Sequence, residues 1–399
     1  MPNNGVGDAF DSFPDIYYLL LPVLGHCGCC RSTKTIHEIE MKIIQLTYSL
    51  SSGGAERFVV DLCNRLAQNP ENEVVLVMVL DEDNPSWAHY CRDLSPMVRL
   101  VSLHCRKGLS FKSIWRVFRV VTNEKAAVVH AHCNLIMLYL PALLVRKSKY
   151  VHTIHNLAEY CLGSYLLKPI NRRLYRKIVK PVTISRECDR SFFDLYGLKT
   201  SACITNGREP LVPSRSFVPD IKIDSGCPVF IHVARCAPQK NQARLFKAFD
   251  RLYLEGVKFE LMCLGSGYSK YMEHYKTHPQ IHIVGERNNV GDYMKMAGYF
   301  VLSSDFEGLP LTLLEAMSMG LTPICTPAGG VVDVIKDGVN GYMTNGFGDE
   351  EFYRKLKTVM ETNGVLPREI IRRDYMDNYS MQACAVKYYA LYRQIIESK

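Results

Sequence analysis

Short apolar runs alternate with amphipathic stretches along most of the chain. The runs are rich in branched and aromatic residues, which is typical of buried strands; examples are residues 73–80, 229–233 and 299–303. The stretches between them, such as 58–67 and 242–253, place apolar residues at helical spacing. This alternation predicts an α/β fold. Each half of the chain opens with a strand and a glycine-bearing turn, which predicts two Rossmann-like domains.

The domain boundaries follow from composition. Residues 209–227 carry three prolines and no helical periodicity, so we interpret them as a linker. We predict a first domain over 41–212, a second over 213–380 and a C-terminal helix over 381–399. Residues 1–40 carry no fold pattern, and we expect them to be disordered or non-essential. Their apolar stretch follows aspartates without Lys or Arg, which argues against a secretory signal.

Composition limits the class of protein. The apolar content of 47% and the charged content of 22% are ordinary for a globular protein, and no apolar run reaches the roughly 20 residues that span a bilayer. The 15 cysteines are scattered without paired spacing. This pattern favours reduced, buried thiols in a cytoplasmic protein over a disulfide framework.

Positive charge is concentrated in the first domain. Residues 100–210 hold 19 Lys and Arg against 6 Asp and Glu, and the densest part is 172–180. One interpretation is a solvated helix face. Another is attraction to an anionic membrane surface, at the inner face of the cell membrane, or to a phosphate-bearing acceptor. Nucleic acid is not predicted, because the chain lacks the aromatic and glycine pattern of an RNA-binding sheet.

The stretch 307–320, EGLPLTLLEAMSMG, contains the main candidate chemistry. Pro310 suits a first helical position and Gly320 a helix end. The free N–H groups of this helix start, with Gly308, form an anion site suited to a pyrophosphate. Glu307 before the helix and Glu315 inside it are expected to face one ligand, and neither is expected to be buried away from solvent or ligand. The alternative is a capped surface helix.

Polar residues also follow the strands of the first half. The turn after the first strand contains Gly53 and Gly54, and glycines there let the backbone approach a ligand. His130 and His132 close a later strand, and we predict that His130 is a buried, hydrogen-bonded residue. Ligands of open α/β sheets bind at such strand ends. We interpret the Asp-x-Asp sequence at 81–83 as a solvated loop and not a metal site.

The motifs occur in an order that resembles a known family. Residues 307–320 are followed by the Gly-Gly loop at 327–330 and the D-G-V-N-G turn at 337–341. This block resembles the retaining glycosyltransferases of family four, which have the GT-B fold, and the resemblance extends from residue 41 onward. It implies two facing Rossmann-like domains with a cleft between them. The donor nucleotide would bind the second domain and the acceptor the first.

The resemblance also implies roles for individual residues. Glu307 would contact the donor sugar and Glu315 the ribose, and His132 would lie near the reaction centre. Arg235 and Lys240 would contact the donor phosphates. Further donor-binding residues would be Gly308, Leu309, Pro310, Leu311, Gly285, Glu286 and Arg287, the last three beside the nucleobase. Cleft residues on the acceptor side would be Gly53, Gly54, His155, Asn156 and Asn206.

The activity implied is transfer of a glycosyl group, of hexosyl type, from a nucleotide sugar such as a UDP- or GDP-sugar to an acceptor hydroxyl, with retained configuration. No cofactor and no obligatory metal are expected. The acceptor would be a glycan or a lipid-linked acceptor, in capsule or other cell-surface polysaccharide synthesis or in lipid-linked glycan synthesis. The alternatives are a GT-B sugar-nucleotide epimerase and a non-catalytic nucleotide-sugar-binding protein.

Overall fold

The computed structural model describes residues 41–108, 110–161, 164–224 and 226–398. The predictions made for residues 1–40 lie outside these ranges. Two parallel sheets organise the described chain, as the alternation of strands and helices predicts. None of the helices in the described ranges is both long and apolar enough to cross a membrane.

The first sheet has seven strands in the order β3-β2-β1-β4-β5-β6-β7, all parallel. The strand order reverses between β1 and β4, and the crevice at such a reversal is where open α/β sheets bind ligands. Its strands are β1 Met41–Thr47, β2 Asn72–Leu80, β3 Val98–Cys105, β4 Val128–Ala131, β5 Lys149–Ile154, β6 Val179–Thr183 and β7 Ala202–Cys203.

Helices cover both faces of this sheet. They are α1 Gly54–Ala67, α2 Phe111–Glu124, α3 Tyr139–Leu144, α4 Ala158–Cys161, α5 Lys168–Lys177 and α6 Arg186–Tyr196. Short 3-10 turns lie at Cys91–Asp93, Leu135–Leu138 and Tyr165–Leu167. Residues of α2, α3, α5 and α6 share one apolar core against the sheet, whereas α1 packs on the opposite face.

The second sheet has six parallel strands in the order β10-β9-β8-β11-β12-β13 and reverses between β8 and β11. Its strands are β8 Val229–Val233, β9 Glu260–Leu264, β10 Ile281–Gly285, β11 Tyr299–Leu302, β12 Thr322–Cys325 and β13 Tyr342–Met343. Its helices are α7 Gln242–Leu254, α8 Ser269–Tyr275, α9 Val290–Met296, α10 Leu311–Ser318, α11 Val331–Val334, α12 Asp349–Glu361 and α13 Arg368–Asn378, with a 3-10 turn at Pro238–Lys240.

The last helix, α14 Met381–Glu397, returns to the first sheet. Tyr375 and Tyr379 at the end of α13 still belong to the core of the second sheet, whereas Tyr388 and Tyr392 are buried in the core that α1 covers. Backbone bonds fix the crossing: Arg208 N–H donates to Tyr379 O at 3.0 Å, and Met381 N–H donates to Arg208 O at 2.9 Å. Arg208, at the start of the linker, is therefore hydrogen-bonded to the second connection between the sheets, which joins α13 to α14.

Several elements differ in length from the sequence prediction. The helix expected over 58–67 begins at Gly54, and the roughly ten-residue helix expected after Pro310 has eight residues. Pro310 is the N-cap and not the first helical residue. Gly320 has φ +73°, a left-handed conformation that ends the helix and favours glycine.

Candidate active site

Glu307 lies in the loop between β11 and α10, and its partner comes from the loop after β8. Lys240 Nζ is 2.6 Å from Glu307 Oε1, and Ser304 Oγ donates to the same oxygen at 2.6 Å. Strands β8 and β11 are neighbours at the reversal of the second sheet, so their carboxyl ends bring the two loops together. Glu307 is only 6% exposed. The expectation that this carboxylate is not buried is therefore wrong.

The glycine loop supports the backbone of Glu307. The N–H of Gly330 donates to Gly308 O at 2.7 Å. A Cβ at Gly329, whose φ is +53°, would lie 1.7 Å from Glu307 O. This approach is possible only without a side chain, and it explains why two glycines follow β12.

The start of α10 meets loops of the first sheet. The helix has no side-chain cap at its N-terminus, so its first N–H groups are not satisfied by a capping side chain. A Cβ at Gly308 would lie 3.3 Å from His155 O, and a Cβ at Gly54 would lie 3.8 Å from Leu311 Cδ1. Predicted donor residues and predicted cleft residues are therefore neighbours in the structure.

Glu315 has a different environment from Glu307. Its Oε1 is 2.7 Å from Arg208 Nε, and Arg208 Nη1 is 2.5 Å from Asp61 Oδ2 on α1. The side chains of Glu315, Arg208 and Asp61 are 12%, 11% and 1% exposed. Burial lowers the pKa of Arg208, but the two carboxylates outweigh it and the pKa is raised. Glu315 is partly exposed, which agrees with the expectation that it is not buried, and its ion pair ties the second sheet to the linker and to α1.

Three histidines form a hydrogen-bonded group at the carboxyl ends of β4 and β5. His132 Nε2 is 2.8 Å from Gln45 Oε1, and His132 Nδ1 is 3.0 Å from His155 Nε2. His130 is fully buried, with Nδ1 2.6 Å from Tyr392 OH and Nε2 2.7 Å from Thr153 Oγ1, which confirms its prediction as a buried, hydrogen-bonded residue.

Burial keeps these imidazoles neutral. It lowers the pKa of His132 well below the usual value, with a further contribution from the neighbouring histidines. It lowers the pKa of His155 to about 3. Phe58 packs edge-on against both rings, with centroid distances of 5.9 Å to His132 and 5.5 Å to His155. The two rings are therefore held in place at the wall of the first domain. His155 Nδ1 is buried and has no hydrogen-bond partner among the described residues.

Arg235 is the exposed cation of the site. It lies in the loop between β8 and the 3-10 turn that carries Lys240, and its side chain is exposed. Its backbone oxygen accepts from Gln242 Nε2 at 3.1 Å, which holds the loop. Its guanidinium has no ion-pair partner in the part of the chain that the structure describes, in contrast to Lys240. Arg235 is therefore free to bind an anion.

The remaining predicted cleft residues are Asn156, Asn206 and Gly53, and their environments differ. Asn156 Oδ1 accepts from the N–H of Leu157 at 2.8 Å, so this side chain shapes its own loop. Asn206 is 4% exposed and its Oδ1 has no partner within the described ranges. Gly53 is the N-cap of α1. The predicted contacts of all three with an acceptor stay predictions.

The loop after β10 is attached to the linker. Arg287 Nη2 is 2.7 Å from Asp220 Oδ2, and Arg287 Nε donates to Tyr293 OH at 3.1 Å. The Tyr293 hydroxyl in turn donates to Asp220 Oδ1 at 2.6 Å. Glu286 is exposed, and Gly285 has φ +81°. The side chain of Arg287 thus fixes the linker, and the predicted nucleobase contacts of this loop stay predictions.

The sequence analysis did not identify several residues that support the site. Two of them could have been found, because each is a polar residue at a position where the pattern predicts burial. Gln45 is a polar residue within the apolar run of β1, and Asp61 lies on the buried face of α1. A buried polar side chain needs a partner, which here is found far along the chain. The residues missed are Gln45, Asp61, Arg208, Ser304 and Tyr392.

The Asp-x-Asp segment lies beside a histidine of β3. Asp81, Asp83 and His104 place one ligand atom each within 4.8 Å of one another. His104 Nδ1 is 2.8 Å from Asp81 Oδ1, and this hydrogen bond raises the pKa of the exposed His104. The interpretation of this segment as a solvated loop and not a metal site stays a prediction.

Two family models match consecutive parts of the chain. Residues 52–209 match the model described as Glycosyltransferase Family 4, and residues 215–380 match the model described as Glycosyl transferases group 1. The two matches meet within the linker, between the last strand of the first sheet and the first strand of the second.

Curated relatives are similar over parts of their length. The sulfoquinovosyl transferase SQD2 of Arabidopsis thaliana is 30% identical over 171 residues, which are 40% of this chain and 32% of that protein. The UDP-Gal:alpha-D-GlcNAc-diphosphoundecaprenol alpha-1,3-galactosyltransferase of Escherichia coli is 24% identical over 263 residues, which are 58% of this chain and 66% of that protein. The matched stretch thus spans about a third of the first relative and about two thirds of the second.

Solved structures agree in fold over nearly the whole chain. A glycosyltransferase from Rickettsia africae superimposes with a TM-score of 0.73 at 16% identity, covering 90% of this chain and 100% of that one. HepE of Anabaena, in complex with UDP and glucose, superimposes with a TM-score of 0.67 at 17% identity, covering 88% and 99%. The fold is GT-B, and the chain belongs to the family-four, or group 1, glycosyltransferases.

Proposed function

We propose that this chain transfers a glycosyl group from a nucleotide sugar to an acceptor hydroxyl with retention of configuration. The observation that carries the proposal is the grouping of Lys240, Glu307 and the unpaired Arg235 at the reversal of the second sheet, beside the uncapped start of α10. Cations and free N–H groups at such a position suit a diphosphate. Glu307 adds a carboxylate suited to sugar hydroxyls.

The proposed chemistry rests on this arrangement and on the resemblance to retaining enzymes of family four. Bond breaking between the anomeric carbon and the diphosphate leaves negative charge on the diphosphate. Arg235, Lys240 and the start of α10 stabilise that charge without reorganising, so no metal ion is needed for this task. The acceptor oxygen bonds to the anomeric carbon on the face that the diphosphate leaves. The departing phosphate oxygen accepts the hydroxyl proton, and the configuration is retained.

Lys240 and Glu307 serve different parts of the donor. The ammonium group has three N–H donors, and one of them suffices for Glu307 Oε1, so the others are available for phosphate oxygens. Glu307 Oε1 is occupied by Lys240 and Ser304, whereas Oε2 has no hydrogen-bond partner among the described residues. We assign Oε2 to a hydroxyl of the donor sugar, and Glu315 to the ribose.

The names of similar proteins support a choice of substrates. The Escherichia coli relative is named for UDP-galactose and a diphosphoundecaprenol-linked acceptor, and HepE was crystallised with UDP and glucose. We therefore propose a UDP-sugar as donor and a glycan or lipid-linked acceptor, as in cell-surface polysaccharide synthesis. A GDP-sugar is the alternative donor.

Attachment to an anionic membrane fits the surface of α5. Arg173, Arg176 and Lys177 are exposed there. Directly before and within the same helix, Leu166 is 87% exposed and Ile170 47% exposed. Exposed cations beside exposed apolar side chains are typical of helices that lie in a membrane interface. We propose that this segment holds the protein at the inner face of the cell membrane, where a lipid-linked acceptor is found.

Vesicle binding tests the membrane proposal. Binding to vesicles containing phosphatidylglycerol should weaken as salt rises, because exposed charges are screened over about 10 Å at 0.1 M. Replacing Arg172, Arg173, Arg176 and Lys177 by Gln should weaken it further, and Leu166→Ser should weaken it at every salt concentration. Equal binding to neutral phosphatidylcholine vesicles would contradict the proposal.

Product analysis tests the transfer itself. UDP- and GDP-sugars are first screened for an increase in melting temperature, since a ligand of the folded state stabilises it. The donor that binds is then incubated with lipid-linked and oligosaccharide acceptors, and the anomeric configuration of the product is determined by NMR. Release of free sugar and nucleotide without any acceptor would favour the epimerase class. Donor binding without turnover would favour a non-catalytic binding protein.

A further inference from the structure

The C-terminal helix reaches the histidines of the cleft through one hydroxyl group. Tyr392 of α14 is fully buried. Its hydroxyl lies 3.0 Å from Gln45 Nε2 and 2.6 Å from His130 Nδ1. The amide oxygen of the same Gln45 lies 2.8 Å from His132 Nε2. Gln45 thus joins a residue 347 positions away to the histidine expected near the reaction centre.

The orientation of the Gln45 amide determines which atom donates and which accepts in the hydrogen bonds that run from Tyr392 to His155. Gln45 Nε2 donates to the Tyr392 oxygen, so the amide oxygen faces His132 and must accept. His132 therefore carries its proton on Nε2, and its Nδ1 is a lone pair. That lone pair accepts from His155 Nε2 at 3.0 Å. A neutral His155 with its proton on Nε2 leaves a lone pair on Nδ1.

Both imidazoles must be neutral for this order to hold. Their ring centroids are 5.2 Å apart, so two imidazolium ions would repel each other in a buried site. Burial lowers the pKa of both residues, as described above. His155 Nδ1 is then a buried acceptor without a partner among the described residues, and a buried acceptor of this kind is costly unless a ligand satisfies it.

We propose that Gln45 and Tyr392 are positioning residues that hold His132 and His155 in their Nε2–H tautomers and so keep the lone pair of His155 Nδ1 open. The proposal rests on the proposed function. The backbone oxygen of His155 lies 3.3 Å from a Cβ placed on Gly308, which follows Glu307. The open lone pair thus belongs to a residue in contact with the loop assigned to the donor sugar.

Imidazole nitrogen spectra test the tautomers without any activity. In the parent protein at neutral pH, two-bond ¹⁵N–¹H correlations should show His132 and His155 protonated on Nε2, with assignments from His132→Gln and His155→Gln. Tyr392→Phe removes the acceptor for the Gln45 amide, which frees the amide to rotate. Gln45→Met removes the acceptor for His132. Both variants should show a second tautomer for His132 and His155.

Tyr388→Phe is the matched control. Tyr388 is also buried on α14 and also loses one hydrogen bond, to Thr153 Oγ1 at 2.9 Å. Its hydroxyl does not contact Gln45 and reaches Tyr392 only through Thr153 and His130. Its spectra should retain the parent tautomers at His132 and His155. With the identified donor, Tyr392→Phe should lower kcat by about fivefold, the loss expected for one hydrogen bond of ordinary strength. The kcat of Tyr388→Phe should stay within about twofold of the parent value.

The outcomes separate the two proposals. Protonation of His155 on Nδ1 in the parent would overturn the inference, because the order along the path would then be reversed. The inference would also be overturned if Tyr392→Phe and Tyr388→Phe lost kcat equally and the tautomers did not change. Tyr392 would then contribute only to packing. If no nucleotide sugar is turned over, the proposed function fails, whereas the spectra still decide whether Gln45 and Tyr392 set the tautomers.

Discussion

Lys240 Nζ and Glu307 Oε1 lie 2.6 Å apart although 67 positions separate the two residues. The pair joins the loops that follow the two central strands of the second sheet, and Glu307 is buried. A buried charge left without its partner is destabilising, so this contact links the chemistry of the site to its stability.

The first prediction concerns this pair. Glu307→Gln keeps the shape of the side chain but leaves Lys240 without its counter-ion. We expect kcat to fall more than donor affinity, because the sugar contact matters most as the glycosidic bond breaks. We also expect a lower melting temperature. Lys240→Met should lose both donor affinity and rate, by roughly 2–4 kcal/mol of transition-state stabilisation.

A double-mutant cycle checks the coupling of the two residues. Glu307→Gln, Lys240→Met and the double variant are compared in urea unfolding and in steady-state kinetics. The double variant should be more stable than the sum of the single losses predicts, with a coupling of about 0.5–3 kcal/mol. Strict additivity in unfolding would show that the contact contributes nothing to the folded state.

The second prediction concerns Arg235, whose guanidinium is exposed and unpaired in the described chain. Arg235→Ala should weaken donor binding and rate by roughly 2–4 kcal/mol without changing the melting temperature. Lys295→Ala, at an exposed lysine of α9, is the control and should change neither quantity. Kinetic constants of Arg235→Ala equal to those of the parent would mean that the phosphates bind elsewhere.

Local signals predicted much of the fold, including the ends of α10. Period-two and period-3.6 patterns give the strands and helices, and Pro310 and Gly320 mark both ends of α10 within one residue or two. The order of Glu307, the Gly-Gly loop and the later turn indicated the family to which the second half of the chain belongs. These features depend on neighbours along the chain, which is why sequence alone predicts them.

Partners that are distant in sequence were not predictable in the same way. Glu315 suggested a ligand contact, but its partner Arg208 lies 107 positions away in a proline-rich connection. Gln45 stood out as a polar residue in an apolar strand, yet nothing in the sequence pointed to Tyr392. The burial of Glu307 was mispredicted for the same reason, because its cation, Lys240, lies 67 positions away.

The third prediction concerns the group formed by Asp61, Arg208 and Glu315. Arg208→Met leaves Glu315 without its cation, whereas Asp61 keeps Arg57, whose Nη2 is 2.8 Å from Asp61 Oδ1. The free energy of unfolding should fall by about 3 kcal/mol, because a largely buried ion pair loses one partner. Arg215→Met, at an exposed linker arginine, is the control and should have little effect. Urea unfolding measures both.

Glu315→Gln separates the structural from the ligand role of that residue. The loss of its ion pair should lower stability, and the loss of the ribose contact should raise the donor KM while kcat falls less. A donor KM equal to that of the parent, together with lower stability, would make Glu315 a structural residue alone.

The fourth prediction concerns the glycine loop. Gly329→Ala places a methyl group within 1.7 Å of the position of Glu307 O, so the loop that carries Glu307 must move. We expect donor turnover to fall at least tenfold, because small displacements of positioning groups are costly in catalysis. Gly338→Ala is the control: its φ of +75° is also left-handed, but no atom lies within 4 Å of the added Cβ. Similar turnover in the two variants would contradict the support that Gly329 gives to Glu307.

The last prediction concerns stability in acid. Burial lowers the pKa of His152 and of His232 to about 4 and that of His155 to about 3, and it also lowers the pKa of His130 and His132. The unfolded chain binds protons at about pH 6.5, so it takes up protons that the folded state excludes. The stabilisation is therefore complete above about pH 6.5 and is lost as the pH falls toward 4.

His232→Gln isolates one of these contributions away from the cleft, since His232 Nδ1 bonds only to Val301 O within β11 and its Nε2 faces Gln242. Each such histidine adds roughly 1 kcal/mol per pH unit to the slope of unfolding free energy against pH. The variant should therefore lose less stability than the parent between about pH 6 and pH 4.5, a window that lies between the two pKa values. His274→Gln, at an exposed histidine of α8, should keep the parent slope. Urea unfolding across this range measures the slopes, and a parent slope retained by His232→Gln would mean that the buried imidazole is protonated in the folded state.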